Sequence, residues 1–352
     1  MRLLRPSLPS PVQTAALKVC LHGDAKAFEE WRRLIGMTAN AREILGARSG
    51  GLRRLLSLAY GRFRESEVTL DRSLLTYLRT ARVREQLRTE SVRQICKRVL
   101  DTLGAAGLSP VVLKGVALAE TVYPDPASRH CHDLDLLVSS RELDSASTAL
   151  REIGFRTLTM PRSRDSVWLV DDSAFPIGLH SSLYRVPLWN DRRRRYMDAA
   201  MVKSIAGTPA KVLAPVDALL HTCCNGLSGS HGSPCWVADA WFLLAENPGI
   251  DWDLLVEIAQ RDHQAQTVRI AFECLASALD APIPERVLEA LRRSPLLDHE
   301  IDSIRRAALL SVHGSRLGLM RRARRPDDVA QVVWWLTFRE DDTPRDANVQ
   351  RA

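Results

Sequence analysis

Val111-Val112-Leu113-Lys114-Gly115 and, further on, His132-Asp133-Leu134-Asp135-Leu136-Leu137-Val138 decide how this chain is read. The second stretch alternates carboxylate and apolar residues, which is the period of a half-buried β-strand. Successive side chains on a strand point to opposite faces, so Asp133 and Asp135 share one face while Leu134 and Leu136 pack on the other. Two carboxylates a few ångströms apart repel each other unless a cation sits between them. Mg²⁺ takes hard oxygen ligands, commonly one or two carboxylates together with substrate phosphates. The pair therefore points to metal-assisted phosphate chemistry, provided that it opens onto a phosphate-binding loop.

Such a loop lies upstream. Residues 111–113 read as a short strand that ends in Lys114-Gly115, and residues 116–123 read as a helix. A strand, a glycine turn and a helix N-terminus gather free N–H groups and the positive end of the helix dipole at one point, which suits an anion. Lys114 adds a mobile positive charge. Arg129, four residues before Asp133, adds a forked donor that matches phosphate or carboxylate oxygens.

These residues resemble a known family. Leu113-Lys114-Gly115, Ala117-Leu118-Ala119, Tyr123-Pro124, Arg129 and Asp133-Leu134-Asp135-Leu136-Leu137-Val138 are similar to the pattern of the uncharacterised nucleotidyltransferase family, within the DNA-polymerase-beta-like nucleotidyltransferase superfamily. The similarity runs on through Leu150, Gly154-Phe155, His221, His231-Gly232, Cys235 to Asp239 and Ile250-Asp251-Trp252, over roughly residues 90 to 285. The resemblance implies that Asp133 and Asp135 hold Mg²⁺ and act in catalysis, and that Lys114, Gly115 and Arg129 bind the phosphates of an NTP, with ATP as the expected nucleotide. It also implies transfer of a nucleoside monophosphate to an acceptor, with pyrophosphate leaving.

One position departs from the pattern. The superfamily takes a third carboxylate from a later strand, and in this family it precedes a Leu-His pair. Here Leu179-His180 follows Gly178. Asp171 and Asp172 lie at what reads as a hairpin tip between strands 167–170 and 177–183, a poorer place than a strand for a tightly held ligand. Loss of the third carboxylate weakens catalysis more than nucleotide binding. His180 alternates in phase with Gly178, and is read either as a catalytic base or ligand at the metal site or as a buried, hydrogen-bonded structural histidine.

The rest of the sequence sets bounds. At 352 residues, with 45% hydrophobic and 26% charged residues, the chain has the composition of a globular protein with room for two domains. No apolar run is long enough for a membrane span and no secretory signal is legible at Met1, so the expected location is the cytoplasm, away from membranes. The seven cysteines are odd in number and scattered, which suits reduced thiols. The net charge of +7 concentrates at Arg192 to Arg195 and at Arg321, Arg322, Arg324 and Arg325. Such runs suit a polyanion or a solvated face, and they lack the interleaved aromatics of single-strand binders.

The fold class expected is α+β, a small mixed nucleotidyltransferase-type sheet with helices, flanked by helical regions on both sides. The divisions are an N-terminal helical region at 1–107, an α/β core at 108–205, a C-terminal helical domain at 206–338 and a disordered tail at 339–352. Helices are expected at 25–34, 52–63, 75–103, 141–153, 217–224, 236–245, 252–261, 267–279, 285–292 and 299–311. The leading functional expectation is a Mg²⁺-dependent nucleotidyltransferase whose acceptor is a peptide or small molecule rather than RNA. The competing expectation is a catalytically degenerate relative that serves as a nucleotide- or peptide-binding accessory protein, for instance in peptide natural-product biosynthesis.

Overall fold

The computed structural model describes residues 8–36, 51–66, 68–70, 72–158, 165–184, 195–229, 233–296 and 300. At its centre lies a mixed sheet of seven strands in the order β3-β4-β5-β2-β1-β7-β6. The strands are β1 (Val111–Leu113), β2 (Leu134–Leu137), β3 (Arg156–Thr157), β4 (Ser166–Val170), β5 (Ile177–His180), β6 (Met201–Ile205) and β7 (Thr208–Val212). β2 is central, antiparallel to β1 and parallel to β5, while β1 runs parallel to β7 on its other side.

The helices are α1 (Pro11–Leu21), α2 (Ala25–Gly36), α3 (Leu56–Glu65), α4 (Arg72–Ala105), α5 (Lys114–Thr121), α6 (Leu143–Glu152), α7 (Pro215–Gly229), α8 (Cys235–Glu246), α9 (Trp252–Arg261), α10 (Ala265–Leu279) and α11 (Glu285–Arg293), with 3-10 turns at Leu52–Leu55 and Pro126–Ser128. The fold is thus α+β, with helices on both sides of the sheet in sequence, as the residues led us to expect. The helix windows read from the sequence correspond to observed helices, apart from 299–311, which with the tail at 339–352 falls outside the described residues save for Glu300.

Two features differ from the sequence reading. β6 and β7 form a hairpin where no strand was expected. Its turn places Ala206 at φ 52° and Gly207 at φ 81°, the double left-handed geometry that matches the twist of a two-residue hairpin. The second difference is depth. β2 is buried along its whole length rather than on one face. Leu134 and Leu136 pack with Val92, Val99 and Leu103 of α4 and with Leu150 of α6. The opposite face is covered too, by a smaller cluster in which Leu137 meets Val111, Leu113, Tyr196 and Leu213. Asp135 points into that second, covered face.

α4 acts as a spine. Its 34 residues span about 50 Å at 1.5 Å per residue. Near its start, Leu78 joins a large core in which α1, α2 and α3 pack together with α7 to α11; further on, Val92 to Leu103 pack on the sheet. Among the described residues no helix is long and apolar enough to cross a membrane.

Candidate active site

The site forms where β1 runs into α5. Leu113 keeps extended backbone as the N-cap of α5, without a side-chain cap. Lys114 then takes a left-handed φ of 51°. That conformation costs a non-glycine residue of order 1 kcal/mol and persists where the surroundings impose it. Here the turn sends the ammonium group toward β2, where Nζ lies 2.8 Å from Oδ2 of Asp135. The two atoms form an ion pair at an oxygen that is fully buried. The helix begins two residues earlier than the sequence reading placed it, because Lys114 and Gly115 belong to its first turn.

The other oxygen of Asp135, Oδ1, lies 2.6 Å from Nε2 of His180 at the end of β5. An ionised carboxylate carries no proton, so Nε2 is the donor. Burial opposes the charge on Asp135, but Lys114 and His180 outweigh it and hold the carboxyl below the usual carboxylate range. Asp133 sits just before β2, and its side chain is about a quarter exposed, at 23%. Burial and the neighbouring Asp135 charge push its pKa up to about 6, against the pull of Lys114 and Arg129. The two aspartates therefore sense one another, and the outer one is the weaker acid.

Gly178 lies beside Asp135 in the parallel ladder between β2 and β5, and opposite Trp168 in the antiparallel ladder between β5 and β4. A Cβ at this position would fall 2.7 Å from His180 Nε2, 2.8 Å from Asp135 Oδ1 and 3.1 Å from the Trp168 ring. The Trp168 ring stands edge-on to His180, with centroids 5.5 Å apart. Asp171 and Asp172 are engaged elsewhere: Asp171 pairs with Arg98 on α4, and Asp172 lies 3.7 Å from Arg156 on β3.

Arg129 does not face Asp133 or Asp135. Its Nε donates to Oδ1 of Asp239 at 2.7 Å, its Nη2 to Oδ2 at 2.8 Å, and its Nη1 to the carbonyl of His130. Tyr123 donates a further hydrogen bond to Asp239 Oδ1 at 2.7 Å. Gly115 sits behind this guanidinium, with room for ordinary contact only: a Cβ there would lie 3.8 Å from Arg129 Nη2 and 3.4 Å from Cys131 Sγ. The loop that carries Arg129 is fixed from α4, where Arg82 pairs with Asp125 and donates to Ser57 and Ser128. Arg54, from the 3-10 turn before α3, adds positive potential at Asp133 and His132.

One model of a protein family matches the chain, that of an uncharacterised nucleotidyltransferase, over residues 52–280. The chain belongs to this uncharacterised nucleotidyltransferase family. The match contains every element that surrounds Asp135, from the 3-10 turn at Leu52 to α10. No curated protein matches the chain. Among solved structures, an antigenic nucleotidyltransferase-like protein from Paracoccidioides brasiliensis is similar at 12% identity with a TM-score of 0.39, over 60% of this chain and 97% of that one.

Within this nucleotidyltransferase-family chain the structure thus gathers Lys114, Asp133, Asp135 and His180, and directs Arg129 to a separate partner. The donor set fits a divalent cation in kind. Asp133 and Oδ2 of Asp135 offer hard oxygens, and substrate phosphates and water commonly supply the remainder for Mg²⁺. Among the described residues no group of three or more His, Cys, Asp or Glu side chains forms a ready-made protein cage.

One site neighbour, Trp168, escaped the sequence reading, having no local signal beyond its place in a strand. His221 on α7, which belongs to the family resemblance, is 3% exposed and makes no hydrogen bond among the described residues. It packs edge-on to Tyr184, and burial, reinforced by Lys114, pushes its pKa down to about 3. It is a neutral imidazole within the field of Lys114, Asp135 and His180. Of the arginine runs, Arg195 pairs with the buried Asp217, whereas Arg192 to Arg194, Arg321 to Arg325 and His231 fall outside the described residues.

Proposed function

We propose that this chain transfers a nucleoside monophosphate from an NTP to an acceptor hydroxyl or phosphate, with Mg²⁺ held by Asp133 and Asp135. The observation that carries the reading is Asp135 itself. It is a buried, ionised carboxylate with one oxygen held by His180 and the other paired with Lys114, and its charge acts on the neighbouring Asp133. Lys114 offsets one of the two carboxylate charges, and a divalent cation would offset the repulsion that remains between Asp133 and Asp135.

Each residue has a task in this reaction. Lys114 and the N–H groups of the first turn of α5, including Gly115, would hold the phosphates, since a helix start favours anions. Lys114 would shift from Asp135 toward the triphosphate when the cation arrives, so that the two positive charges do not compete for Oδ2. Bound Mg²⁺ would neutralise charge that develops on the phosphates. His180 keeps Asp135 ionised and oriented. Arg129, locked to Asp239, holds the loop leading into Asp133 rather than the nucleotide. The acceptor oxygen attacks the α-phosphorus in line. A new P–O bond forms, the bond to the β-phosphate oxygen breaks, pyrophosphate leaves, and the proton of a hydroxyl acceptor passes to water. We take ATP as the first nucleotide to try and a peptide or small molecule as the acceptor class, with the cytoplasm as the working compartment.

The test is pyrophosphate release from each of the four NTPs with Mg²⁺, across peptide and small-molecule acceptors. Release that disappears in Asp135→Asn supports the reading. A second reading, a nucleotide-binding protein without turnover, is favoured by Gly178, which leaves β5 without a carboxylate beside Asp135. Tight Mg²⁺-dependent NTP binding with no pyrophosphate from any acceptor would support that alternative.

A further inference from the structure

Glycine in the middle of a strand weakens it, and usually marks a bend or a close approach. Gly178 is not one of the glycines with positive φ, and it sits in regular pairing with both β2 and β4. Its reason is space. The volume that a side chain at 178 would enter is bounded by Asp135 Oδ1, His180 Nε2 and the Trp168 ring, all within 3.1 Å of the would-be Cβ. His180, two residues on and on the same face of β5, uses that space to reach Asp135 at 2.6 Å. A side chain at 178 and the bond from His180 to Asp135 therefore compete for one place.

We propose that Gly178 and His180 form a matched pair that limits this site to one divalent cation: the glycine admits the imidazole, and the imidazole takes the Asp135 oxygen that a second cation would need. The inference rests on the nucleotidyltransferase reading above. Paired-metal sites hold their ions about 3.5–4 Å apart between shared oxygen ligands. Here Oδ1 faces an N–H proton, which repels a cation, so Asp133 and Oδ2, once Lys114 swings away from it, remain for a single ion. Formal charge agrees. Two carboxylates against Lys114 leave one negative charge, enough for one dication with phosphates, while a second dication would meet no further metal-binding carboxylate among the described residues. His180 is thus a positioning residue that sets metal number through Asp135.

The test titrates the full chain with Mn²⁺ alone, followed by electron paramagnetic resonance, alongside thermal unfolding. The proteins are wild type, Asp135→Asn, Gly178→Asp, His180→Ala, His180→Gln and Gly178→Asp/His180→Ala. Wild type should bind one Mn²⁺ per chain and Asp135→Asn none. Gly178→Asp alone should melt lower and bind Mn²⁺ about 10–100-fold more weakly, the usual cost of disturbing a group that orients a metal ligand. His180→Gln, which keeps a donor, should hold the count at one. The double variant removes the nearest of the three groups around that space and leaves Asp135 and Trp168 to adjust, so it should melt above Gly178→Asp and take two Mn²⁺.

Two Mn²⁺ on the wild type, both lost in Asp135→Asn, would overturn the proposal. So would additive melting shifts for Gly178→Asp and His180→Ala, because groups that share one space couple. Wild type that binds no Mn²⁺ would overturn the nucleotidyltransferase reading instead, and the melting cycle would still decide whether the pair is matched.

Discussion

Asp135 and Asp239 are both buried carboxylates that face a cationic side chain, yet they are finished differently. Asp239 is closed. Arg129 meets both of its oxygens, Tyr123 adds a third hydrogen bond, and the group ties the loop before β2 to α8. Asp135 is open. One oxygen accepts from His180, the other pairs with the partly exposed Lys114, and the charge of Asp133 acts on the group. A closed network locks structure, because its members are mutually satisfied. An open one is stabilised by whatever completes it. On the function proposed above, Asp239 holds the fold and Asp135 binds a ligand.

The largest expected effect breaks the closed network. Asp239→Ala leaves Arg129 buried without its partner, and should cost about 3–5 kcal/mol in urea unfolding. Asp135→Asn should cost under half of that, because Lys114 is partly exposed and can turn to water, while NTP binding in Mg²⁺ is lost. Equal losses of stability for the two variants would erase the contrast. Tyr123→Phe removes one bond to a charged acceptor and should cost about 1.5–3 kcal/mol, with Mg²⁺ affinity unchanged.

The open site should respond to pH. With its pKa raised to about 6, Asp133 is more readily protonated in the folded state than in the unfolded one. Its ionised form therefore counts against stability at pH 7, a cost relieved as the pH falls through 6 or when a cation binds. Mg²⁺ needs the ionised form, so affinity should drop by about tenfold between pH 7 and pH 5, measured by calorimetry. A flat profile would mean that Asp133 does not ligate. The smallest effect is expected at His221, where no hydrogen bond is lost. His221→Leu should change unfolding free energy by less than about 1.5 kcal/mol, and a lowered rate of nucleotide transfer would place His221 against substrate.

The sequence carried the fold well where signals are local. The strand at Val111, the Lys114-Gly115 turn, the aspartate strand and the helical windows all follow from short-range pattern. The β6–β7 hairpin was missed because its outer strand, Met201-Val202-Lys203-Ser204-Ile205, does not alternate apolar with polar residues and is exposed at its first four positions. Site partners were harder still. Arg129 and Asp239 are 110 residues apart, and His180 and Asp135 are 45 apart. Position 178 could be read as a missing carboxylate, but what fills its place depends on two neighbouring strands. The same limit hid the depth of Asp135, whose neighbours His180 and His221 lie far along the chain.

The most direct test of the account is calorimetric titration of the four NTPs with and without Mg²⁺, on wild type, Asp133→Asn/Asp135→Asn and Asp239→Asn. The account predicts Mg²⁺-dependent binding to wild type, its loss in the double aspartate variant with the fold intact, and binding retained in folded Asp239→Asn. Nucleotide binding that ignores both Mg²⁺ and the two aspartates would contradict it.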